Sequence, residues 1–171
     1  MSGARTDAEA VEAANTALYD ALEHGDLDTM ERLWLGPDDG SAADDADVSA
    51  VHPGWPVLTG RGEVMRSYAL IMAGTDYIQF FLTDVEVSVL GDTALVTCTE
   101  NILSGGPAEA DGSAGPLVGG LVVATNVFRR VPDGAWKLWS HHGSPVLVEQ
   151  DDEGDGDGPD EEDGGQNDTV F

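Results

Sequence analysis

Residues 77–103 have the sequence YIQFFLTDVEVSVLGDTALVTCTENIL, in which apolar and polar side chains alternate along two successive segments. Val85, Val87 and Val89 are separated by polar residues, which is the period-two pattern of a strand with one buried face. Gly91-Asp92 provides a turn between the two segments, and residues 94–103 continue the pattern. This stretch therefore predicts a long antiparallel hairpin, with strands at 77–90 and 94–103.

A second hairpin is predicted immediately downstream. Residues 121–131 and 135–144 are long enough for strands, and they flank the turn sequence Pro132-Asp133-Gly134. The Gly/Pro-rich segment 104–120 joins the two hairpins, and a loop of this length is usually functional or mobile.

Three helices and one short strand are predicted upstream of the hairpins. Thr6 and Glu9 form a capping-box pattern that begins the first helix, and Gly25 ends it. Asp26 is positioned to cap a short second helix, a strand follows at 48–52, and a third helix spans 61–73. Helices followed by antiparallel strands predict an α+β fold, with the helices packed on one face of a curved sheet.

The charge of the chain limits its partners. It carries 33 acidic residues against 7 Lys plus Arg, a net charge of −26, so nucleic acid and anionic membrane surfaces are not expected to bind. Residues 151–163 contain no basic and almost no apolar residues, which predicts a disordered acidic tail at 149–171. With a disordered start at 1–5, residues 6–148 are predicted to form a single domain.

Two further features indicate a cytoplasmic protein. No segment approaches the roughly 20 apolar residues of a membrane-spanning helix, and the first residues lack the apolar core of a signal peptide.

The single cysteine, Cys98, excludes an internal disulfide and a cysteine-based zinc cluster. It lies in a predicted strand, where a buried, unreactive thiol is expected.

Three segments resemble proteins of the nuclear transport factor two-like, or SnoaL-like, superfamily. They are ALEHGDLDTMERLW (21–34), VHPGWPVLTGRGEV (51–64) and WKLWSHHGSP (136–145). The last is also similar to the final strand of the association (hub) domain of calcium/calmodulin-dependent kinase II. The resemblance spans about residues 8–148. It implies a cone-shaped, curved antiparallel sheet with three helices on its concave face and a pocket between them.

Strand parity indicates which side chains share that pocket. Alternation places His141 and His142 on opposite faces, and the resemblance to the kinase hub domain implies that Glu100, Asn126 and His142 occupy pocket-lining positions. Glu100 lies among apolar residues, where burial raises the pKa of a carboxyl group toward the range of a general base. His142 is the expected partner or proton carrier, so Glu100 and His142 are the candidate catalytic residues.

The other candidate ligand contacts are aromatic or polar residues of the predicted helices and strand ends. They are Tyr19, Trp34, His52, Trp55, Tyr68 and Asn126. Each of the aromatic residues and His52 also fits an ordinary packing role. No metal site or cofactor is predicted, because His141 and His142 point to opposite faces and no phosphate- or dinucleotide-binding signature is present.

Three functions remain open on the sequence. The leading interpretation is a homodimer that binds a small hydrophobic molecule in an apolar pocket. The first alternative is an enzyme of the isomerase or polyketide-cyclase type that uses Glu100 or His142 as acid or base. The second is a non-catalytic assembly module, with the pocket filled by Trp34, Trp55 and Phe128. The sequence does not decide whether the protein is an enzyme.

A homodimer through the sheet is expected from the outer strand face as well as from the resemblance. By parity this face is too apolar to remain in water. It presents Leu95, Thr97, Val123, Val127, Trp139 and His141.

Overall fold

The computed structural model describes residues 5–40, 47–106 and 109–147. The acidic tail predicted at 149–171, and all but residue 5 of the start predicted to be disordered, lie outside the described residues. The helices are α1 (Asp7–Glu23), α2 (Leu27–Leu33) and α3 (Arg61–Ala73), with one 3₁₀ turn at Pro37–Asp39. The strands are β1 (Ser49–Val51), β2 (Leu58–Thr59), β3 (Tyr77–Leu90), β4 (Thr93–Gly105), β5 (Leu117–Arg130) and β6 (Trp136–Pro145).

The helix starts follow the predicted capping chemistry. The Glu9 amide donates to Thr6 Oγ1 at 3.2 Å, and the Thr6 amide donates to Glu9 Oε2 at 2.8 Å, which completes the capping box. Asp26 caps α2 by accepting from the Thr29 amide at 3.0 Å. Gly25 has φ +62° after the end of α1, a conformation that glycine adopts without a steric penalty.

Six strands form one curved, open sheet in the order β2-β1-β6-β5-β4-β3. β3 to β6 are antiparallel neighbours, whereas β1 joins β6 in parallel. The α+β prediction is confirmed, including the cone-shaped sheet with three helices. β2 was not predicted, because two residues are too few to show an alternation. β5 begins at Leu117, within the segment predicted as a loop, where Gly119-Gly120 hides the strand pattern.

Two β-bulges alter the alternation of the long strands. On β3 the register shifts between Thr83 and Glu86, and Asp84 has φ +53°. On β6, Ser140 is opposite Val127 while Leu138 is opposite Phe128, so Trp139 is an extra residue in that strand. Beyond Trp139, the side chains of β6 therefore face the opposite way from the uninterrupted alternation.

The core lies between the concave face of the sheet and the helices. The largest fully buried apolar side chains are Trp34, Tyr68, Phe128, Met30 and Leu138. Trp34 follows α2 and pairs with Leu138 of β6 through an isolated bridge, which fastens the end of α2 to the sheet. None of the helices in the described residues is long and apolar enough to cross a membrane.

Candidate functional site

Glu100 projects from β4 into the interior of the cone. Its neighbours across the sheet are Leu82 on β3 and Val122 on β5, and the side chain is only 4% exposed. Among the described residues, no group hydrogen-bonds to its Oε2 atom. Burial raises the pKa of Glu100 to about 7, and the nearby Tyr19 hydroxyl offsets this only in part. The predicted buried carboxyl group is therefore present, in both protonation states near neutral pH.

Two tyrosines approach Glu100 from different helices. Tyr19 comes from α1 and Tyr68 from α3, and both side chains are almost fully buried. Burial, and then the negative charge of Glu100, raise the pKa of each hydroxyl far above its usual value, so both remain protonated. Trp34 packs on Tyr68 with ring centroids 5.9 Å apart. The carboxyl group therefore has two neutral O–H donors nearby.

The prediction that His142 faces the pocket is wrong. The bulge at Trp139 reverses the parity of β6, so His142 is exposed on the outer side and His141 is buried. His141 Nδ1 lies 2.6 Å from Asn126 Oδ1, and the two residues are opposite each other on β6 and β5. The assignment of His141 to the outer, dimer-forming face is wrong for the same reason.

A chain of hydrogen bonds extends from His141 across the interior. Asn126 Nδ2 donates to Asn15 Oδ1 at 2.8 Å and to Tyr19 Oη at 3.2 Å. Tyr19 Oη in turn lies 3.7 Å from Cys98 Sγ. Asn126 therefore lines the interior as predicted, but the oxygen and the nitrogen of its amide are both hydrogen-bonded to protein groups. Burial raises the pKa of the Cys98 thiol, consistent with the predicted unreactive cysteine.

The two buried histidines are neutral. Burial lowers the pKa of His141 to about 3 and that of His52 to about 4. His52 Nε2 lies 2.8 Å from Ser67 Oγ, whose own proton is donated to the Val64 carbonyl at 2.6 Å. His52 must therefore be the donor to Ser67, which fixes its tautomer and its place in the wall of the cone.

His52 also organises an aromatic cluster at one end of the interior. Its ring makes edge contacts with Tyr68 at 5.0 Å and with Trp55 at 5.2 Å, and it lies 5.9 Å from His141. Trp55 is 38% exposed, so it lies at the rim and does not fill the cone. His52 and Trp55 thus meet, with His52 inside and Trp55 at the edge.

The structure brings Tyr19, Tyr68, Asn126 and Glu100 together and adds two residues that the sequence did not indicate. His141 was missed because no residue type announces a bulge in β6. Asn15 was missed because a polar residue in a helix is ordinarily solvated. Its place one turn before Tyr19, on the same helix face, was the only available signal. Within ranges 5–40, 47–106 and 109–147, no cluster of three metal-ligating side chains occurs.

A groove of about 300 Å³ lies between α1 and β3. Asn15 and Tyr19 line the groove and also belong to the hydrogen-bonded chain. Phe80, Leu82 and Val85 of β3 form its apolar wall. Tyr19, whose pKa is raised by burial and in part by the charge of Glu100, is thus shared by the groove and the interior.

Comparison with known proteins identifies one family over most of the chain. A model of the SnoaL-like domain family matches residues 11–149. No curated protein matches the chain. A candidate dehydratase of the NTF2-like family from Streptomyces avermitilis is 72% identical; the match covers 83% of this chain and 98% of that one, with a TM-score of 0.77.

Two less similar crystal structures share the fold. One is a candidate calcium/calmodulin-dependent protein kinase type II association domain from Thiobacillus denitrificans. It is 25% identical, with 80% of this chain and 94% of that one covered and a TM-score of 0.60. The other is a candidate ketosteroid isomerase from Shewanella frigidimarina. It is 18% identical, with 79% and 94% covered and a TM-score of 0.60. At that identity, the second shows the fold alone.

Proposed function

The chain belongs to the SnoaL-like domain family, and from that premise we propose that it binds a small, largely apolar molecule inside the cone, in contact with Glu100. The observation that supports this proposal most strongly is the Glu100 carboxyl group, which is 4% exposed and has an oxygen without a hydrogen-bond partner among the described residues. A polar atom buried in this way costs about 1–3 kcal/mol, and more when charged. Such a cost is typical of residues kept for function.

A structural role for Glu100 has less support. A structural carboxylate is ordinarily paired with a cation or several donors. The cross-strand neighbours of Glu100 are Leu82 and Val122, and no ion pair of the described residues includes it. Tyr19 and Tyr68, whose pKa values are raised by burial and in part by the charge of Glu100, are also groups that could donate to a ligand oxygen.

We further propose proton transfer as the chemistry of this site, as in a dehydratase, isomerase or cyclase. A carboxyl group with a pKa of about 7 can both take and return a proton at neutral pH. The hydroxyls of Tyr19 and Tyr68 stay protonated, so they could stabilise the negative charge that develops on a ligand carbonyl. The 72% identity to a candidate dehydratase supports this second proposal.

The assembly-module alternative fits less well. Trp34 and Phe128 are both 1% exposed and fill one end of the cone, whereas Trp55 stands at the rim. The interior therefore retains polar atoms that a filled core would exclude. They are Asn15 Nδ2, Trp34 Nε1 and Glu100 Oε2, all without partners in the described part of the chain.

A homodimer through the outer face of the sheet remains part of the proposal. Leu95, Val123 and Trp139 are 43%, 46% and 36% exposed on neighbouring strands. Exposed apolar groups on the same sheet face, in so acidic a chain, favour burial against a second copy.

The test is a thermal-shift screen with hydrophobic carbonyl compounds against the wild type, Glu100→Gln and Glu100→Leu. At least one compound should raise the melting temperature of the wild type, and Glu100→Leu should lose that shift because it has no hydrogen-bonding group. Glu86→Gln, an exposed carboxyl on β3, is the matched control and should retain it. If no compound shifts the wild type, or if Glu100→Leu keeps the full shift, the proposed binding role of Glu100 is wrong.

A further inference from the structure

His141 and Asn126 form a directed connection to Tyr19. Asn126 Nδ2 donates to Asn15 Oδ1 and to Tyr19 Oη, so the amide nitrogen is fully used. Asn126 Oδ1 can only accept, and it lies 2.6 Å from His141 Nδ1. His141 must therefore carry its proton on Nδ1 and donate to Asn126. All three side chains are at most 6% exposed, so water does not compete for these bonds.

The direction of these bonds decides where the Tyr19 hydroxyl points. Because Tyr19 Oη already accepts from Asn126, its own proton must be donated elsewhere. The acceptors available to it are Cys98 Sγ, at 3.7 Å, and the carboxyl group of Glu100, whose pKa is raised by burial and lowered in part by a hydrogen bond from Tyr19. A carboxylate is a much stronger acceptor than a thiol, which favours Glu100, or a ligand oxygen beside it, as the acceptor of this hydrogen bond.

We propose that His141 and Asn126 are positioning residues, which orient the Tyr19 hydroxyl as a donor toward Glu100 and its ligand. This inference extends the function proposed above by assigning the residues that prepare its site. The hydrogen bonds run in sequence from the Nδ1–H group of His141 through the amide of Asn126 to the hydroxyl of Tyr19. Each bond polarises the donor of the next, which strengthens the last bond. His141 reaches this position only through the bulge at Trp139.

The test is a pH titration of Glu100 in ligand-free protein, in which NMR of ¹³C-labelled glutamate reports the pKa. The resonance that is absent from Glu100→Gln identifies Glu100. Tyr19→Phe should raise the pKa of Glu100 by about half a pH unit or more, because the donor to the carboxylate is lost. His141→Leu should raise it in the same direction, and His141→Asn, which keeps a donor near the position of Nδ1, should restore the wild-type value.

A double variant separates positioning from general damage to the fold. In the Tyr19→Phe background, His141→Leu should cause no further rise, because the hydroxyl through which it acts is gone. Asn126→Ala provides the same comparison if His141→Leu does not fold. Additive rises would show that His141 acts on Glu100 independently of Tyr19 and would overturn the proposal.

The opposite direction of the hydrogen bonds gives the opposite result. If the amide oxygen and nitrogen exchanged places in both Asn15 and Asn126, Tyr19 would donate to Asn126. His141→Leu would then release the Tyr19 hydroxyl toward Glu100. The pKa of Glu100 would then fall or stay unchanged, and either result refutes the proposal. Since no ligand takes part, the outcome is independent of the thermal-shift screen, and each of the two proposals can fail alone.

Discussion

At the scale of single residues, Glu100 should make the stability of the protein depend on pH. Its pKa is raised from 4.5 to about 7 in the native state. The native state then binds more protons than the unfolded state between these values, so the free energy of unfolding should fall as the pH rises from 4.5 to 7. Denaturant unfolding should show a loss of roughly 3 kcal/mol across this window that is absent from Glu100→Gln. Equal slopes for the two proteins would contradict the assignment.

His141 should give the opposite slope on the acid side. Its pKa is lowered to about 3 by burial, whereas an unfolded histidine titrates near pH 6.5. Below pH 6.5 the unfolded state binds the extra proton, so the free energy of unfolding should fall as the pH drops. His141→Asn should flatten this fall in denaturant unfolding between pH 6.5 and 4. The adjacent, exposed His142→Asn is the matched control, and an equal effect of the two substitutions would count against the burial of His141.

The sequence predicted these residues unevenly. The buried positions of Glu100 and Asn126 agree with strand alternation combined with the resemblance to the hub domain, and that of Tyr68 agrees with helical spacing. Tyr19 was named only as a hydroxyl on the first helix. The choice of His142 over His141 failed because parity assumes an unbroken strand, and one extra residue in β6 exchanges the two faces. Nothing in the local composition distinguishes Trp139 as the residue that breaks the pattern.

At the scale of elements, Arg61 links the start of α3 to the end of α2. Its guanidinium donates to the carbonyl oxygens of Trp34 at 3.0 Å and Leu35 at 3.1 Å, and it also contacts the carbonyl of Glu31. Gly36 lies so close that an added Cβ would be 3.0 Å from Arg61 Nη1. The third helix begins at Arg61, as predicted from the sequence.

Replacing Arg61 should therefore destabilise the packing of α2 against α3. Arg61→Met keeps much of the apolar stem but leaves the carbonyl groups at the end of α2 without their donor. The expected loss is about 1–3 kcal/mol in the free energy of unfolding, measured by denaturant. Arg61→Lys should recover only part of it, because an ammonium group cannot reach several carbonyls at once. Arg66→Met, an exposed arginine on the same helix, is the control and should change stability little.

At the scale of the whole molecule, α+β order and element bounds were predictable because long strands and capped helices carry strong periodic signals. β2 and the start of β5 were not, since pairing with a neighbouring strand defines them more than their own residues do. The same distinction applies to the site. Its residues can be predicted from local patterns, whereas the hydrogen bonds between them depend on how β5, β6 and α1 meet.

The proposed homodimer can be tested through the outer face of the sheet. Val123→Glu places a charge on an exposed strand position that faces away from the core. Light scattering at moderate salt should report twice the chain mass for the wild type and the mass of one chain for this variant, because a buried unpaired carboxylate opposes association. Val57→Glu, at an exposed position outside the four long strands, should leave the dimer intact. A monomeric wild type at micromolar concentration would refute the proposal.

The proposed binding of a small molecule in the interior around Glu100 can be tested directly. The most direct measurement is a crystal structure of the protein with whichever carbonyl compound raises its melting temperature most. The compound is expected inside the cone, with a polar atom within hydrogen-bonding distance of Glu100 and the Tyr19 hydroxyl. A compound bound only elsewhere, with the Glu100 carboxyl group satisfied by protein atoms alone, would contradict it.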